Sequence, residues 1–187
     1  MRKDGDPSNL ENEPKKYSRL IMVRKAEVGI DVLVQLLDNG LVVFPGGKDE
    51  PNDGDSIGTI IREVNEEGKM NKGQLKNLED FDLLWGSFVF KVAWHMDKTP
   101  CVDTYHLIQT IGHDYDGIAI PNDDEIKKAE WVNLGLLAAG IVPFKAKVPK
   151  NIRLAAIKSL QFVPELMEWY SKNSVSGDSQ DNSTHTF

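Results

Sequence analysis

The sequence lacks the features that mark disulfide-bonded, secreted or membrane-spanning proteins. Its 187 residues contain one cysteine, Cys101, which excludes an internal disulfide and any zinc cluster built from cysteines. No apolar run approaches the roughly 18 residues of a membrane-spanning helix, and residues 1–16 lack the apolar centre of a signal peptide. We therefore expect a cytoplasmic protein in which Cys101 is a small core residue rather than a catalytic thiol.

Positive charge is also scarce. The 22 basic residues are outnumbered by 29 acidic ones, and the formal net charge of −7 argues against broad, sequence-independent binding to nucleic acid. One segment departs from this balance, because Glu130 is the only acid between Ile126 and Pro164. The second half of that segment carries Lys145, Lys147, Lys150, Arg153 and Lys158. A solvated helix face and a contact surface for RNA or polyphosphate both account for this basic segment.

The composition favours one domain. A hydrophobic fraction of 40% and a charged fraction of 27% are ordinary for a globular protein, and 187 residues suit a single core. Both ends are poor in large apolar side chains, which predicts disordered tails at residues 1–16 and 174–187. The predicted domain therefore covers residues 17–173.

Alternating apolar and polar residues predict several strands. Residues 30–36 alternate, Asn39-Gly40 follows, and an apolar run occupies residues 41–44, which together predict a β-hairpin with a type I′ turn. The same reasoning predicts further strands near residues 19–23, 87–94, 104–111 and 126–132.

Two helical regions are predicted. The first begins near Asp55 or Ser56, either of which can cap a helix, and ends at Gly68. Its apolar residues recur at helical spacing and should face the core: Ile57, Ile60, Ile61 and Val64. The second covers residues 150–170 and should break or kink at Pro164.

Three carboxylates share one side of the first helix. At about 100° per residue, Glu63, Glu66 and Glu67 fall within roughly a quarter turn. Like charges at this spacing repel by a few tenths of a kcal/mol per pair, and Arg62 neutralises only part of that charge. A divalent ion such as Mg²⁺ would neutralise the rest, because it prefers oxygen ligands. Considered alone, the segment is more typical of a solvated helix face than of a metal site.

The bend Pro45-Gly46-Gly47 lies just before this helix. A glycine pair lets the backbone approach closely and adopt positive φ, so a carbonyl of Gly46 or Gly47 could join the same metal cluster. Lys48 adds a mobile positive charge that suits a phosphate.

The combination of strand, glycine bend, loop and acidic helix resembles the Nudix hydrolase superfamily. Its box reads Gly, five residues, Glu, seven residues, Arg-Glu, an aliphatic residue, any residue, Glu-Glu, any residue, Gly, aliphatic. The positions that match by type are Gly47, Arg62, Glu63, Val64, Glu66, Glu67 and Met70. Residues 124–134 also look like the acidic segment and tryptophan strand found late in the family.

The sequence departs from the box at three points. The interval from Gly47 to Arg62 is one residue too long, and the first glutamate has no clean counterpart, although Asp55 or Glu50 could replace it. The closing glycine comes one position early, as Gly68, with Lys69 in its usual place.

The resemblance implies an α/β/α sandwich with a mixed β-sheet and a catalytic helix after the Gly-Gly loop. It also implies a pyrophosphohydrolase that uses Mg²⁺, or Mn²⁺, to cleave a diphosphate linkage in a nucleotide-derived substrate. Alternatives are an RNA 5′-end pyrophosphohydrolase that uses the basic segment, and a non-catalytic module that binds a nucleotide or an ADP-ribose-like ligand. Many relatives pair as homodimers.

The resemblance further implies roles for individual residues. The metal set would be Gly47, Glu63, Glu66, Glu67 and a later acid, for which Glu125 is preferred over Asp124 and capping of an exposed turn is the alternative. One of the helix glutamates would assist as base, Arg62 would orient Glu66 or Glu67, and Lys48 and Gly46 would bind substrate. The tryptophans Trp85, Trp94 and Trp131 are expected in the core, whereas Phe44, Phe81 and Tyr105 could reach a nucleotide.

Overall fold

The computed structural model describes residues 13–67, 88–109 and 125–173. No helix in these ranges is both long enough and apolar enough to cross a membrane. The elements, in chain order, are β1 (Lys15–Lys25), β2 (Ile30–Leu37), β3 (Val42–Val43), β4 (Gly46–Lys48), α1 (Ser56–Glu67), β5 (Phe88–Met96), β6 (Thr99–Gln109), β7 (Ile126–Asn133), α2 (Leu134–Ala138), α3 (Lys150–Ser159) and α4 (Val163–Asn173).

The strands form one mixed sheet in the order β3-β2-β1-β6-β5, with β4 paired to β1 and β7 paired to β2. The central pair, β1 and β6, is parallel, and the other pairs are antiparallel. A parallel pair requires a long crossover connection, and here α1 and β5 lie within it. Because β1 pairs with β4 through its first half and with β2 through its second, it lies at the centre of the domain.

Helices cover both faces of this sheet, because alternate residues of β1 are buried on opposite sides. Leu20 and Met22 pack with Ile60 and Val64 of α1, in a small core. Ile21 and Val23 face the larger core, whose helical residues come from α2, α3 and α4. The predicted α/β/α sandwich with a mixed sheet is confirmed.

The predicted hairpin is present, but its turn differs from the prediction. Strands β2 and β3 pair antiparallel around it, and Gly40 has a φ of +78°. A type I′ turn needs positive φ at both central residues, and Asn39 is not among the non-glycine residues with positive φ. Instead the Gly40 N–H donates to the Leu37 carbonyl, and the Leu37 N–H donates to the Leu41 carbonyl. This pattern is a type I turn followed by a left-handed glycine, which lengthens the loop by one residue.

Helix α1 begins where the sequence predicts. The Asp55 carboxylate accepts hydrogen bonds from the Ile57 and Gly58 N–H groups, and it thereby caps the helix. Ile60 and Val64 are buried, as expected. Ile57 is an error of the prediction, because its side chain is exposed in the first turn. The predicted stop at Gly68 lies outside the described residues.

The second helical region breaks earlier than predicted. A short 3-10 segment, Leu160–Phe162, separates α3 from α4, so Pro164 falls in the first turn of α4 rather than in the middle of a helix. Proline is tolerated there because the first turn leaves its N–H groups without helical partners.

The other predicted strands are present as β1, β5, β6 and β7, with the ends at Ser87 and Ile111 outside the described residues. Strand β1 begins at Lys15, two residues before the predicted start of the domain.

Candidate active site

The glycine bend is shaped by two close approaches. Gly46 has a φ of +118°, and a Cβ atom at this position would overlap the Ser18 carbonyl oxygen on β1. A Cβ atom at Gly47 would overlap the Glu63 carboxylate. Gly46 therefore lets β4 pair tightly with β1, and Gly47 lets a carboxylate of α1 lie directly on the backbone.

Arg62 connects the loop to the helix carboxylates. Its Nε and Nη2 atoms donate to the two oxygens of Asp53, at 2.9 and 3.1 Å. Its Nη1 atom donates to Glu63 Oε1 at 2.8 Å and to Glu66 Oε2 at 3.2 Å. The Nη2 atom also donates to the Lys48 carbonyl at 2.9 Å. One guanidinium group thus holds the bend, the loop and two helix carboxylates in a fixed arrangement.

Asp53 is a residue that our sequence reasoning missed. Its side chain is only 6% exposed, and it accepts hydrogen bonds from the Glu50 N–H and the Thr59 hydroxyl as well as from Arg62. Hydrogen bonding to Arg62 is the main reason why the pKa of Asp53 lies well below its usual range. Of the two substitutes considered, Asp55 caps α1 and Glu50 is exposed.

The spacing contains the signal that would have found Asp53. Five residues separate Gly47 from Asp53, which is the interval that the box requires before its first acid. Counting forward from the glycine therefore identifies Asp53, and the extra residue falls between Asp53 and Arg62. Counting backward from Arg62 does not identify Asp53, because the extra residue lies within that interval.

The helix carboxylates differ in their surroundings. Burial raises the pKa of Glu63, and the neighbouring Arg62 opposes that rise. Glu66 is more open, with 59% of its side chain exposed. Glu67 belongs to α1, but its side chain lies outside the described part of the chain.

The donor set suits a hard divalent cation. Glu63 and Glu66 supply carboxylate oxygens that converge on one N–H group of Arg62, and the Gly47 backbone touches Glu63. Among the described residues, no group of three or more His, Cys, Asp or Glu side chains is placed to hold a metal ion. The candidate ligands among the described residues are thus two carboxylates and the bend beside them, and Glu67 is the third carboxylate that the sequence predicts.

The remaining predicted site residues lie at three places. The Gly46 carbonyl accepts a hydrogen bond from Arg19 Nη1, and Lys48 is exposed at the end of β4. Glu125 is exposed in the turn before β7, where its carbonyl accepts from the Asp38 N–H. Its role as a metal ligand stays a prediction, and Asp124 lies outside the described residues.

The first turn of α1 is attached to the sheet by a buried histidine. His106 Nε2 on β6 lies 2.9 Å from the Ser56 hydroxyl, within hydrogen-bond distance. Burial lowers the pKa of His106, although the carboxylates of Asp55 and Asp49 oppose this effect. Asp49 is itself held by the Ser18 hydroxyl at 2.7 Å. These contacts position the loop and the helix start relative to β1 and β6.

The buried and the exposed aromatic residues differ in part from the prediction. Phe44 and Tyr105 are fully buried against each other, so neither can reach a nucleotide. Trp131 packs on the core beneath α1, with the Arg24 guanidinium over its ring. Trp94 is partly exposed. Phe81 and Trp85 lie outside the described residues.

All five cations of the basic segment are exposed. Lys158 donates to the Lys91 carbonyl on β5, and the Arg153 side chain lies beside Gly140. The segment is therefore a solvent-facing surface on α3 and on the chain that leads into it.

Comparison with known proteins identifies the family and the fold of this chain. A family model described as the NUDIX domain matches residues 14–152. An Ap4A hydrolase of C. elegans, in a binary complex, has a TM-score of 0.57 and 19% identity, with 81% of this chain and 98% of that chain covered.

Two further solved structures are similar. A MutT protein of Methanosarcina mazei Go1 has a TM-score of 0.53 and 16% identity, with 80% of this chain and 96% of that chain covered. A NUDIX hydrolase of Nitrosomonas europaea has a TM-score of 0.52 and 18% identity, with coverages of 80% and 89%. At these identities the likeness concerns the fold. No curated protein matches the chain.

Proposed function

This chain belongs to the Nudix family, whose domain model matches residues 14–152, and from that premise we propose that it is a Mg²⁺-dependent pyrophosphohydrolase acting on a nucleotide-derived substrate. One observation carries the proposal. The Glu63 carboxylate lies directly on the Gly47 backbone, in a space that any Cβ atom would fill, and Arg62 joins it to Glu66. A solvated helix face would need neither the glycine nor the guanidinium.

The proposed metal ligands are Glu63, Glu66, Glu67, Glu125 and the Gly47 carbonyl. When bound, Mg²⁺ would neutralise the diphosphate oxygens and make a coordinated water more acidic, which is the chemistry that phosphoryl transfer requires. Mn²⁺ has the same preference for oxygen ligands and is expected to substitute.

The protein's own groups act through charge placement. Lys48 extends from the end of β4 into solvent, where its ammonium group can contact a phosphate. Arg62 is a positioning residue, because its donors are engaged by Asp53, Glu63, Glu66 and the Lys48 carbonyl. Glu67 is our choice for the carboxylate that accepts a proton from the attacking water.

The test is a substrate panel assayed with Mg²⁺ and with chelator. It should contain nucleoside triphosphates, dinucleoside polyphosphates, nucleotide sugars and capped RNA. We expect at least one member to release a nucleoside phosphate, and Glu67→Gln to lower kcat by about 100-fold or more. Glu168→Gln is the matched control, because Glu168 is an exposed carboxylate on α4 paired with Lys172. Tight binding of a nucleotide without turnover, both in Mg²⁺ and in Mn²⁺, would contradict the proposal and favour a binding module.

A second candidate substrate, the 5′ end of RNA, is supported by the exposed basic segment. If an RNA strand follows that surface, replacing Lys145, Lys147 and Lys150 with glutamine should lower activity on capped RNA much more than on free nucleotides. Replacing Lys25, Lys98 and Lys172, which are also exposed but lie outside the basic segment, provides the matched control. Equal effects on both substrates would exclude this candidate. A cytoplasmic location and a homodimer remain predictions, and light scattering of the purified protein tests the second.

A further inference from the structure

Strand β5 forms an open edge of the sheet. It lies at the end of the strand order, and in the described part of the chain it pairs only with β6. The strand extends over Phe88–Met96 without a proline or a bulge, so the edge is about 30 Å long at the usual rise per residue. A long and regular edge of this kind is a template for another extended chain.

The hairpin between β5 and β6 determines which backbone groups point outward. Asp97 and Lys98 form a two-residue loop, and the loop is closed by the hydrogen-bonded pair Met96 and Thr99. Hydrogen-bonded pairs alternate along an antiparallel ladder, so every second residue of β5 directs both its N–H and its C=O away from β6. These outward residues are Val89, Lys91, Ala93 and His95.

The outward groups are accessible. Among the described residues, Lys158 Nζ is the group that bonds to this edge, 2.8 Å from the Lys91 carbonyl. The other outward N–H and C=O groups have no backbone partner in the same ranges. The four outward side chains are exposed, and 54% of Val89 is open to solvent. A carbonyl oxygen has two lone pairs, so an incoming N–H group can bond to Lys91 while Lys158 stays in place.

Helix α3 adds an apolar contact above the edge. Asn151 Nδ2 donates to Asp103 on β6 at 3.0 Å, and Lys158, two turns later, reaches the edge of β5. Leu154 lies between them on the same side of the helix, because residues three and four positions apart are neighbours on a helix surface. Its side chain is exposed. A side chain of an added strand could therefore pack on Leu154 without displacing α3.

The charges around this edge are positive in a chain whose net charge is −7. Neither β5 nor α3 contains an acidic residue, and Lys91, His95 and Lys158 surround the outward groups. Opposite charges across a strand pair stabilise it, and like charges destabilise it. A second copy in full antiparallel register would centre on Val92 and place its own Lys91 about 8 Å from this one. The edge therefore disfavours pairing with itself and favours a strand with acidic side chains.

We infer that the edge of β5 is a docking site for an extended acidic segment of another protein, which adds to the sheet as a further strand. The backbone of that segment would pair with the outward groups of β5. Its acidic side chains would lie on the face of Lys91 and His95, and the alternate side chains would face Leu154. Nucleic acid fits this edge less well, because phosphates would use the cations but neither the row of outward groups nor the apolar side chains.

A designed peptide tests the docking site. The probe has the length of β5, alternates glutamate with valine, and carries methyl groups on alternate amides so that it cannot associate with itself. We expect it to shift the backbone amide NMR signals of β5. Ala93→Pro should weaken its binding by about 10-fold or more, because this variant loses an outward N–H that the ladder with β6 does not use. Ala93→Ser keeps this N–H and should bind like the wild type.

Reversal of charge provides a second test. A peptide with lysine in place of glutamate should bind the wild type about 10-fold more weakly at low salt. The double variant Lys91→Glu, His95→Glu should prefer the lysine peptide instead. Unchanged amide signals outside β5 show that each variant is folded. None of these measurements involves catalysis, so their outcome does not depend on the proposed function.

Three results would overturn the inference. The first is that the glutamate peptide does not bind the wild type, or binds folded Ala93→Pro and Ala93→Ser equally well. The second is that oligouridine shifts the β5 signals and displaces the peptide, which would make this edge a nucleic-acid site. The third is a wild-type dimer in sedimentation that Ala93→Pro converts into a monomer, which would show that a second copy occupies the edge.

Discussion

Gly47 and Glu63 make the contact on which the site depends. The glycine has no side chain at the one place where the Glu63 carboxylate lies against the backbone. The same contact removes Glu63 from water and raises its pKa, so a bound cation would be attracted to a carboxylate that bulk water no longer solvates fully.

Replacing Gly47 with alanine should therefore lower activity strongly while the protein still folds. The new methyl group would displace Glu63, and we expect kcat/KM to fall by about 100-fold or more, because small misplacements of catalytic groups have effects of this size. The free energy of unfolding, measured in urea, should fall by about 1–3 kcal/mol.

Gly40→Ala is the matched control for this variant. Gly40 also has a positive φ, but an added Cβ atom would meet nothing within 4 Å. It should lose about 1 kcal/mol of stability and keep its activity. Equal activities of the two variants would contradict the role of Gly47.

Asp53 and Arg62 form a partly buried ion pair with a clear pH signature. Because the pKa of Asp53 is lower in the folded protein, the pair contributes stability above the usual carboxyl pKa of about 4, and this contribution is lost as the pH falls through the folded-state pKa. Asp53→Asn should lower the free energy of unfolding by about 1–3 kcal/mol at pH 7.

Urea unfolding at pH 7 and at pH 3 measures this effect. The deficit of Asp53→Asn should shrink at the lower pH, because the unfolded wild type then takes up a proton at Asp53 while the folded protein keeps this carboxylate ionised. Asp55→Asn is the control, because asparagine also caps a helix well and should change little at either pH. A deficit that is the same at both pH values would show that the charge of Asp53 is not responsible.

Helix α1 is attached to the sheet by apolar packing and by a hydrogen bond at its first turn. Ile60 and Val64 bury their side chains on β1, and Ser56 bonds to His106 on β6. Each fully buried aliphatic side chain contributes about 1.5–3 kcal/mol, so apolar packing supplies most of the attachment. The hydrogen bond to His106 determines where the first turn of α1 lies relative to the glycine bend.

The attachment of α1 should weaken in mild acid. Burial lowers the pKa of His106 in the folded state, so its neutral form stabilises the fold above the usual histidine pKa of about 6.5, and this stability is lost as the pH falls through the lower folded-state pKa. The unfolding free energy of the wild type should therefore decrease between pH 8 and pH 5, and His106→Gln should show a smaller decrease.

His95→Gln provides the comparison, because His95 is exposed on β5. It should follow the wild-type pH dependence. If His106→Gln also follows it, the buried histidine does not couple α1 to pH.

Across the whole domain, the sheet separates two helical layers. Helix α1, which carries Glu63 and Glu66, packs on one face through Ile60 and Val64, and α2, α3 and α4 pack on the other. The Glu63 carboxylate lies against the glycine bend only when α1 is packed on β1, so a metal ion that uses both would bind only the assembled fold.

Metal binding should consequently stabilise the assembled domain. A ligand that binds only the folded state at 100 times its Kd adds about 2.7 kcal/mol, which for a domain of this size raises Tm by roughly 5–10 °C. We expect this shift with saturating Mg²⁺ in the wild type and in Glu168→Gln. It should disappear in a variant with Glu63→Gln, Glu66→Gln and Glu67→Gln. An equal shift in that triple variant would place the metal elsewhere.

Local pattern was sufficient for much of the architecture. The α/β class, the start of α1, its Asp55 cap and the common side of Glu63 and Glu66 depend on periodicity and turn chemistry within a few residues. These features follow from the chain alone, because neighbours in sequence create them in any context.

Contacts between distant segments decided the rest. Asn151 reaches Asp103 across 48 positions, and Trp94 reaches it from the adjacent strand, so no local pattern indicates that network. The exposure of Ile57 and the burial of Phe44 likewise depend on which layer each side chain meets. Asp53 depends on both. Its distance in sequence from Gly47 identifies the position, but only the tertiary structure shows that Arg62 is its partner. Side-chain surroundings are a property of packing, and packing joins residues whose separation along the chain carries no periodic signal.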